Sequence, residues 1–153
     1  MLGLALAYGG VAQLLAGMWE FRAGNTFGAV AFSSFGGFWI SFFVLLKLTP
    51  AAGTTGTAVA VYLYAWAIFT TYMFVASLRT TGAVALVFAL LAITFFLLAI
   101  ANAGSDKSIL HIGGWLGIAT AVAAWYASFA AVTNATFGRG VLRVMPLSRA
   151  PGR

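Results

Sequence analysis

The chain has 153 residues, of which 63% are hydrophobic and 7% are charged, and its net charge is +6. Soluble domains average about 45–50% apolar and about 25% charged residues, so this composition excludes an ordinary soluble domain and favours an all-α integral membrane protein. Two acids, one histidine and no cysteine leave too little material for most acid–base, thiol or metal chemistry, and we expect neither an enzyme nor a bound cofactor or metal.

Five apolar windows are each long enough to cross the roughly 30 Å hydrocarbon core of a bilayer as a helix. In chain order they are Met1–Trp19, Gly28–Leu48, Thr57–Leu78, Gly82–Asn102 and Leu110–Val132. Short separators rich in Gly, Pro, Asn, Ser and Thr lie between them and predict antiparallel neighbours. The first window lacks the basic start of a signal peptide, so we interpret it as a span. The sequence thus predicts a transmembrane helical bundle over residues 1–133 and a basic tail over residues 134–153.

The positions of the basic residues predict the orientation, because short cytoplasmic loops are enriched in Lys and Arg. Strict alternation of five spans puts six bases inside and leaves Lys47 and Lys107 outside. The six inside are Arg22, Arg79, Arg139, Arg143, Arg149 and Arg153. We therefore expect a cytoplasmic C-terminus in the plasma (inner) membrane. These bases lie singly between apolar stretches or in the tail, a pattern that favours anionic lipid over nucleic acid as their partner.

The same alternation places Met1 on the outer face, with no polar residues ahead of it. One further span before Met1 would return the N-terminus to the cytoplasm, so topology alone predicts five spans of a six-helix fold.

Small residues at four-residue spacing predict close helix packing, since helices in lipid associate largely through van der Waals contact. Gly113 and Gly117 form a GxxxG pair, and a ridge of small residues continues along the same helix at Ala119, Ala123, Ala127 and Ala131. In the first window the corresponding residues are Gly9, Gly10, Ala12, Ala16 and Gly17. These seams could join helices within one protomer or join separate protomers.

Polar residues inside the windows are the default functional candidates, because hydrocarbon offers no hydrogen-bond partner. Ser and Thr usually bond back to their own helix. The amide of Gln13 cannot be satisfied in that way, so Gln13 predicts either a helix-to-helix hydrogen bond or the lining of a path. His111, at the start of the fifth window, could relay protons or could simply be a hydrated interfacial residue.

Several segments carry a family resemblance that covers nearly the whole chain. They are YGGVAQLLAGMWE at residues 8–20, GNTFG at 24–28, AFSSFGGFW at 31–39, LLAIAN at 97–102, HIGGWLG at 111–117 and NATFGR at 134–139. Together they resemble the acetate uptake transporter family, of the succinate–acetate permease type. The resemblance implies a six-helix protein that assembles as a ring-shaped hexamer, with a path for acetate and related monocarboxylates in each protomer.

The resemblance also implies roles for particular residues. A hydrophobic constriction would include Phe35 and Leu91, and Ala124 would lie on the same path. Two family features are absent: the first helix with its Asn-Pro-Ala-Pro-Leu-Gly motif, and the Tyr that members commonly carry where this chain has Phe35. A start placed too far downstream is the explanation we favour for the first of these absences.

The leading hypothesis is a permease or channel for acetate and similar monocarboxylates, with succinate and proton coupling as open questions. Gln13, Asn25, Thr26 and His111 are the expected polar contacts. A channel for small neutral solutes such as urea or ammonia is the alternative, because the expected lining has no fixed cation that would hold a carboxylate. A non-transporting assembly subunit is the third hypothesis.

Overall fold

The computed structural model describes residues 2–50 and 54–147, and apart from one isolated β-bridge their regular structure is helical. Five helices are each long and apolar enough to cross a membrane. They are α1 (Leu2–Arg22), α2 (Thr26–Lys47), α3 (Gly56–Ser77), α4 (Gly82–Gly104) and α5 (Lys107–Phe137). The prediction of an all-α, multi-pass membrane protein is confirmed.

The first four helices begin and end within three residues of the limits of their predicted windows. α5 extends beyond its window at both ends. Asp106 caps α5, because its Oδ1 accepts hydrogen bonds from the backbone N–H groups of Ser108 (2.8 Å) and Ile109 (3.1 Å). The helix ends only at Gly138, whose φ of 62° is left-handed. A hydropathy pattern marks the apolar stretch and misses these polar end turns, so the bundle ends four residues beyond the predicted boundary.

Parts of some predictions lie outside the described residues. These are Met1, residues 51–53 of the second separator, and the tail arginines Arg149 and Arg153.

The chain divides into two compact units, Met1–Ala58 and Val59–Arg153. In the first unit, α1 and α2 pack through small residues. A Cβ added to Gly36 would lie 2.7 Å from the backbone nitrogen of Leu14, and one added to Gly17 would lie 2.5 Å from that of Ser33. Gly10 similarly meets Ile40. The glycine seam predicted for the first helix is confirmed, although Ala12 and Ala16 are exposed and take no part in it.

In the second unit, α4 and α5 pack against each other through the predicted GxxxG pair. A Cβ on Gly113 would lie 2.9 Å from Leu98 Cδ2, and one on Gly117 would lie 3.6 Å from Thr94 Cγ2. This pair therefore packs within one protomer. The predicted ridge does not continue along the seam, because Ala119 and Ala131 are exposed. A strict four-residue spacing drifts around a helix of 3.6 residues per turn.

The residues after α5 form a strap, residues 138–147, that returns to the beginning of α4. Asn134 Oδ1 accepts from the backbone N–H groups of Val141 and Leu142, both at 2.8 Å, and Tyr126 Oη donates to the Arg143 carbonyl at 2.7 Å. The Met145 carbonyl accepts a hydrogen bond from Gly82 N at 2.7 Å, and the Val144 carbonyl accepts one from Ala83 N at 3.2 Å. Leu147 N donates to Thr80 O at 3.0 Å. The strap therefore supplies partners that the first turn of α4 lacks within its own helix.

Substituting Gly17 by Ala tests the α1–α2 seam. The new methyl group would meet the backbone of Ser33, which cannot rotate away, so we expect a loss of about 1–3 kcal/mol in stability. Gly37→Ala is the matched control on α2, because a Cβ there meets nothing within 4 Å. The measurement is the melting temperature in detergent. Equal melting temperatures for the two variants would contradict the seam.

Candidate functional site

Most hydroxyl groups within the spans are satisfied by their own helix, as the sequence predicts. Each donates to a carbonyl four residues earlier, at 2.7–2.8 Å. These residues are Ser41, Thr70, Thr71, Thr94 and Thr120. Asn102 behaves similarly and donates to Leu98 O at 2.7 Å. These groups are already paired and do not by themselves indicate a polar path.

Gln13, on α1, differs from these residues because its side chain does not bond back to its own helix. It is half-buried near the middle of the helix, directly after a π-helical segment, Ala5–Ala12. Its amide makes no hydrogen bond with any described residue. The helix-to-helix bond that the sequence left open is therefore absent within residues 2–50 and 54–147. An uncommitted amide at this depth can exchange hydrogen bonds with a passing solute.

Ser33 on α2 departs from the expected pattern, because its Oγ is buried and has no hydrogen-bond partner among the described residues. A Cβ on Gly17 would fall against this oxygen. The hydroxyl therefore fills the space that the glycine leaves in the seam. No sequence pattern predicts this role, since Ser33 resembles the serines that bond back to their helix.

Phe35 is 7% exposed and lies on the buried face of α2 with Ala31 and Phe38. Phe38 extends this apolar region through a stacked contact with Phe42, with ring centroids 5.5 Å apart. An apolar wall of this kind suits a constriction, although it is equally the surface that a packed core requires.

Leu91 and Ala124 lie at the same depth of the α4–α5 pair in the second unit. The register is fixed by Thr94 and Thr120, whose Oγ1 atoms are 3.4 Å apart. Leu91 lies one turn before Thr94, and Ala124 one turn after Thr120. Because the two helices run antiparallel, the bulky Leu91 and the small Ala124 lie at the same level along the helix pair. Both residues are half-buried.

Asn25 has a structural role at the beginning of α2. Its Oδ1 accepts from Gly28 N at 3.1 Å, and its Nδ2 donates to Glu20 Oε2 at 2.6 Å. Both ends of the amide are thus engaged, and Gly28 leaves room for them, since a Cβ there would lie 2.6 Å from Nδ2. Thr26 follows as an exposed first residue of the helix. The pair forms a helix start whose polar atoms are largely committed.

His111 lies on the second turn of α5 and is exposed. Its imidazole makes no hydrogen bond with the described residues. The predicted site residues therefore fall into two sets, Gln13, Asn25, Thr26 and Phe35 in the first unit and Leu91, His111 and Ala124 in the second.

The chemistry available along these helices is neutral. Gln13 offers an amide, Phe35 and Leu91 offer apolar surface, and the only two acids, Glu20 and Asp106, lie at helix ends. Groups of this kind can replace some hydrogen bonds of hydration without a fixed charge that would trap an ion.

Comparison with known proteins gives one family. The model of the GPR1/FUN34/yaaH family matches residues 1–149. The succinate-acetate/proton symporter SatP of Escherichia coli strain K12 is 39% identical over 148 residues, which cover 94% of this chain and 78% of that protein. The ammonia transport outward protein 2 of Saccharomyces cerevisiae is 39% identical over 142 residues, covering 88% of this chain and 50% of that protein.

A solved structure is similar as well. The bacterial acetate channel SatP superposes with a TM-score of 0.87 at 38% identity, covering 94% of this chain and 81% of that chain. The matched proteins carry transporter and channel names. The prediction of a transport protein rather than an enzyme is thereby confirmed.

Proposed function

Since the chain belongs to the GPR1/FUN34/yaaH family, we propose that it conducts acetate and related small monocarboxylates across a membrane. The observation that carries this proposal is the likeness to the bacterial acetate channel SatP, with a TM-score of 0.87 over 94% of this chain. The symporter SatP of Escherichia coli, at 39% identity, supports the same substrate class.

The neutral helix interiors are consistent with this substrate. A carboxylic acid with a pKa of about 4–5 is almost wholly ionised at pH 7. Its passage therefore needs either groups that replace part of its hydration or an accompanying proton. Gln13 supplies an uncommitted amide for the first route, and in our proposal its N–H groups donate to the carboxylate.

Phe35 and Leu91 narrow the proposed path, and Ala124 leaves room opposite Leu91. The bulky–small pairing of Leu91 with Ala124 supports a constriction whose width depends on one side chain. Asn25 and Thr26 belong to the proposal as residues that fix the beginning of α2, because the amide of Asn25 is already engaged by Glu20 and Gly28.

We also propose an oligomeric state, a membrane orientation and coupling to protons for this protein. The chain takes part in a hexamer of six-helix protomers in the plasma membrane, with the C-terminus in the cytoplasm, and it carries acetate with a proton. Succinate is a further substrate. His111, the only histidine, is the proposed proton contact. Recording acetate-driven pH changes inside proteoliposomes, with wild type and His111→Gln, tests the coupling and this role together.

Leu91→Ala tests the constriction. Removing the branched side chain should widen the path, so succinate and lactate should compete more strongly with labelled acetate uptake. Leu86→Ala is the matched control, because Leu86 is on the same helix and 53% exposed. Unchanged competition in Leu91→Ala would remove Leu91 from the lining.

Gln13→Leu tests the polar contact. Losing a hydrogen bond to a charged group costs about 1.5–3 kcal/mol, so acetate flux should fall on the order of tenfold or more. Thr71→Val is the control polar-to-apolar change, since Thr71 bonds back to Ala67 O at 2.8 Å. Full flux in Gln13→Leu, with normal folding, would contradict a substrate contact at this residue.

The alternative is a channel for small neutral solutes. Its support is the 39% identity to the ammonia transport outward protein 2, together with the position of the described Lys and Arg residues at helix ends or in loops and the tail rather than in the middle of a span. Swelling of proteoliposomes in urea and ammonia, compared with uptake of acetate, separates the two functions. Flux of the neutral solutes without acetate would favour the alternative.

A further inference from the structure

The strap, residues 138–147, presents two different faces. Its inward side chains are half-buried and its outward ones are exposed, as in an extended segment with one packed side. The inward residues are Leu142 and Val144. The outward residues are Val141, Arg143 and Leu147, and the two apolar ones are each 45% exposed. Met145, whose φ of 51° breaks the alternation, lies beside Gly82 and is still 64% exposed. The outward face thus combines apolar side chains with a cation.

The strap is held against the beginning of α4. Thr81 forms an isolated antiparallel bridge with Pro146, and Gly82 N donates to Met145 O at 2.7 Å. α4 is the most apolar of the five spans, and a span of 23 residues is about as long as the hydrocarbon core is thick, so we take its first turn as one edge of that core. The outward face therefore lies where lipid headgroups meet acyl chains.

The charge around the strap is positive. Arg79, Arg139 and Arg143 are exposed and belong to this end of the second unit. Arg79 directly precedes Thr80, whose carbonyl accepts from Leu147 N at 3.0 Å. Asp106, the one acid of the second unit, lies at the other end of α4 and α5. None of the three guanidinium groups has an acidic partner within the described residues.

We infer that the strap is a binding site for anionic phospholipid. Guanidinium groups of Arg139, Arg143 and Arg79 bind the phosphate of the headgroup. Val141, Met145 and Leu147 contact the upper part of the acyl chains. A soluble phosphate would satisfy the arginines and leave the apolar residues in water, whereas a lipid matches both halves of the surface. The site is separate from the proposed path and does not depend on the transported solute.

The test uses the full chain in detergent micelles, with phosphatidylglycerol as the probe and phosphatidylcholine as its uncharged counterpart. Native mass spectrometry counts the bound lipid across a titration. In wild type, phosphatidylglycerol should bind more tightly than phosphatidylcholine, and added salt should weaken it. The double variant Arg139→Gln/Arg143→Gln should bind phosphatidylglycerol on the order of thirtyfold more weakly.

Two further variants make the result specific. Lys47→Gln/Lys107→Gln removes the same charge at other helix ends and should change affinity less than twofold. Asn134→Ala/Tyr126→Phe keeps every charge but releases the strap, so binding should weaken on the order of tenfold. Circular dichroism and gel filtration confirm that each variant is folded.

Three outcomes would overturn the inference. One is equal binding of the two lipids by wild type. Another is an equal loss in the lysine control, which would mean that net charge alone acts. The third is wild-type affinity in Asn134→Ala/Tyr126→Phe, which would show that the docked strap is not the site.

Discussion

Hydrocarbon offers no hydrogen-bond partners, and this constraint accounts for most of the polar architecture of the chain. Side-chain caps solve it at the starts of α2 and α5, and α4 combines such a cap with a second device. Asn25 and Asp106 cap α2 and α5 with their own side chains. α4 begins with the Thr81 hydroxyl, which accepts from Val84 N at 3.3 Å, and with two carbonyls of the strap. The strap thus supplies hydrogen-bond acceptors for the backbone N–H groups at the start of α4, the most apolar helix.

The same constraint leaves few polar groups in the helix seams. Because threonine hydroxyls return to their own helices, α1–α2 and α4–α5 associate through glycine and close backbone approach. Gly17 and Gly36 serve the first pair, and Gly113 serves the second. Because most polar side chains within the helices are paired, a polar atom without a hydrogen-bond partner needs its own explanation. The Ser33 hydroxyl fills the gap beside Gly17, whereas the Gln13 amide has no such packing role in the contacts of its unit.

The number, order and approximate bounds of the helices followed from hydropathy and turn residues, because crossing a bilayer fixes both length and composition. Hydropathy does not distinguish a lipid-facing side from a protein-facing one, so Ala119 and Ala131 were placed on a seam that they do not join. The strap depends on hydrogen bonds from Asn134 and Tyr126 to residues 7–17 positions away, which no local pattern encodes. Among the candidate site residues, Gln13 was singled out by its chemistry, although that chemistry left open whether its amide bonds to another helix or lines a path. Phe35, Leu91 and Ala124 came only from the family resemblance.

A path without fixed charge selects by size and by hydrogen bonding, and a single amide can serve two kinds of solute. The N–H groups of Gln13 can donate to a carboxylate, and its oxygen can accept from ammonia or urea. With Phe at position 35, no hydroxyl adds a second donor there, so more of the polar recognition rests on this one residue. In such a path a constriction, more than an amide, would decide which solute passes, since an amide accommodates either solute whereas width excludes the larger one.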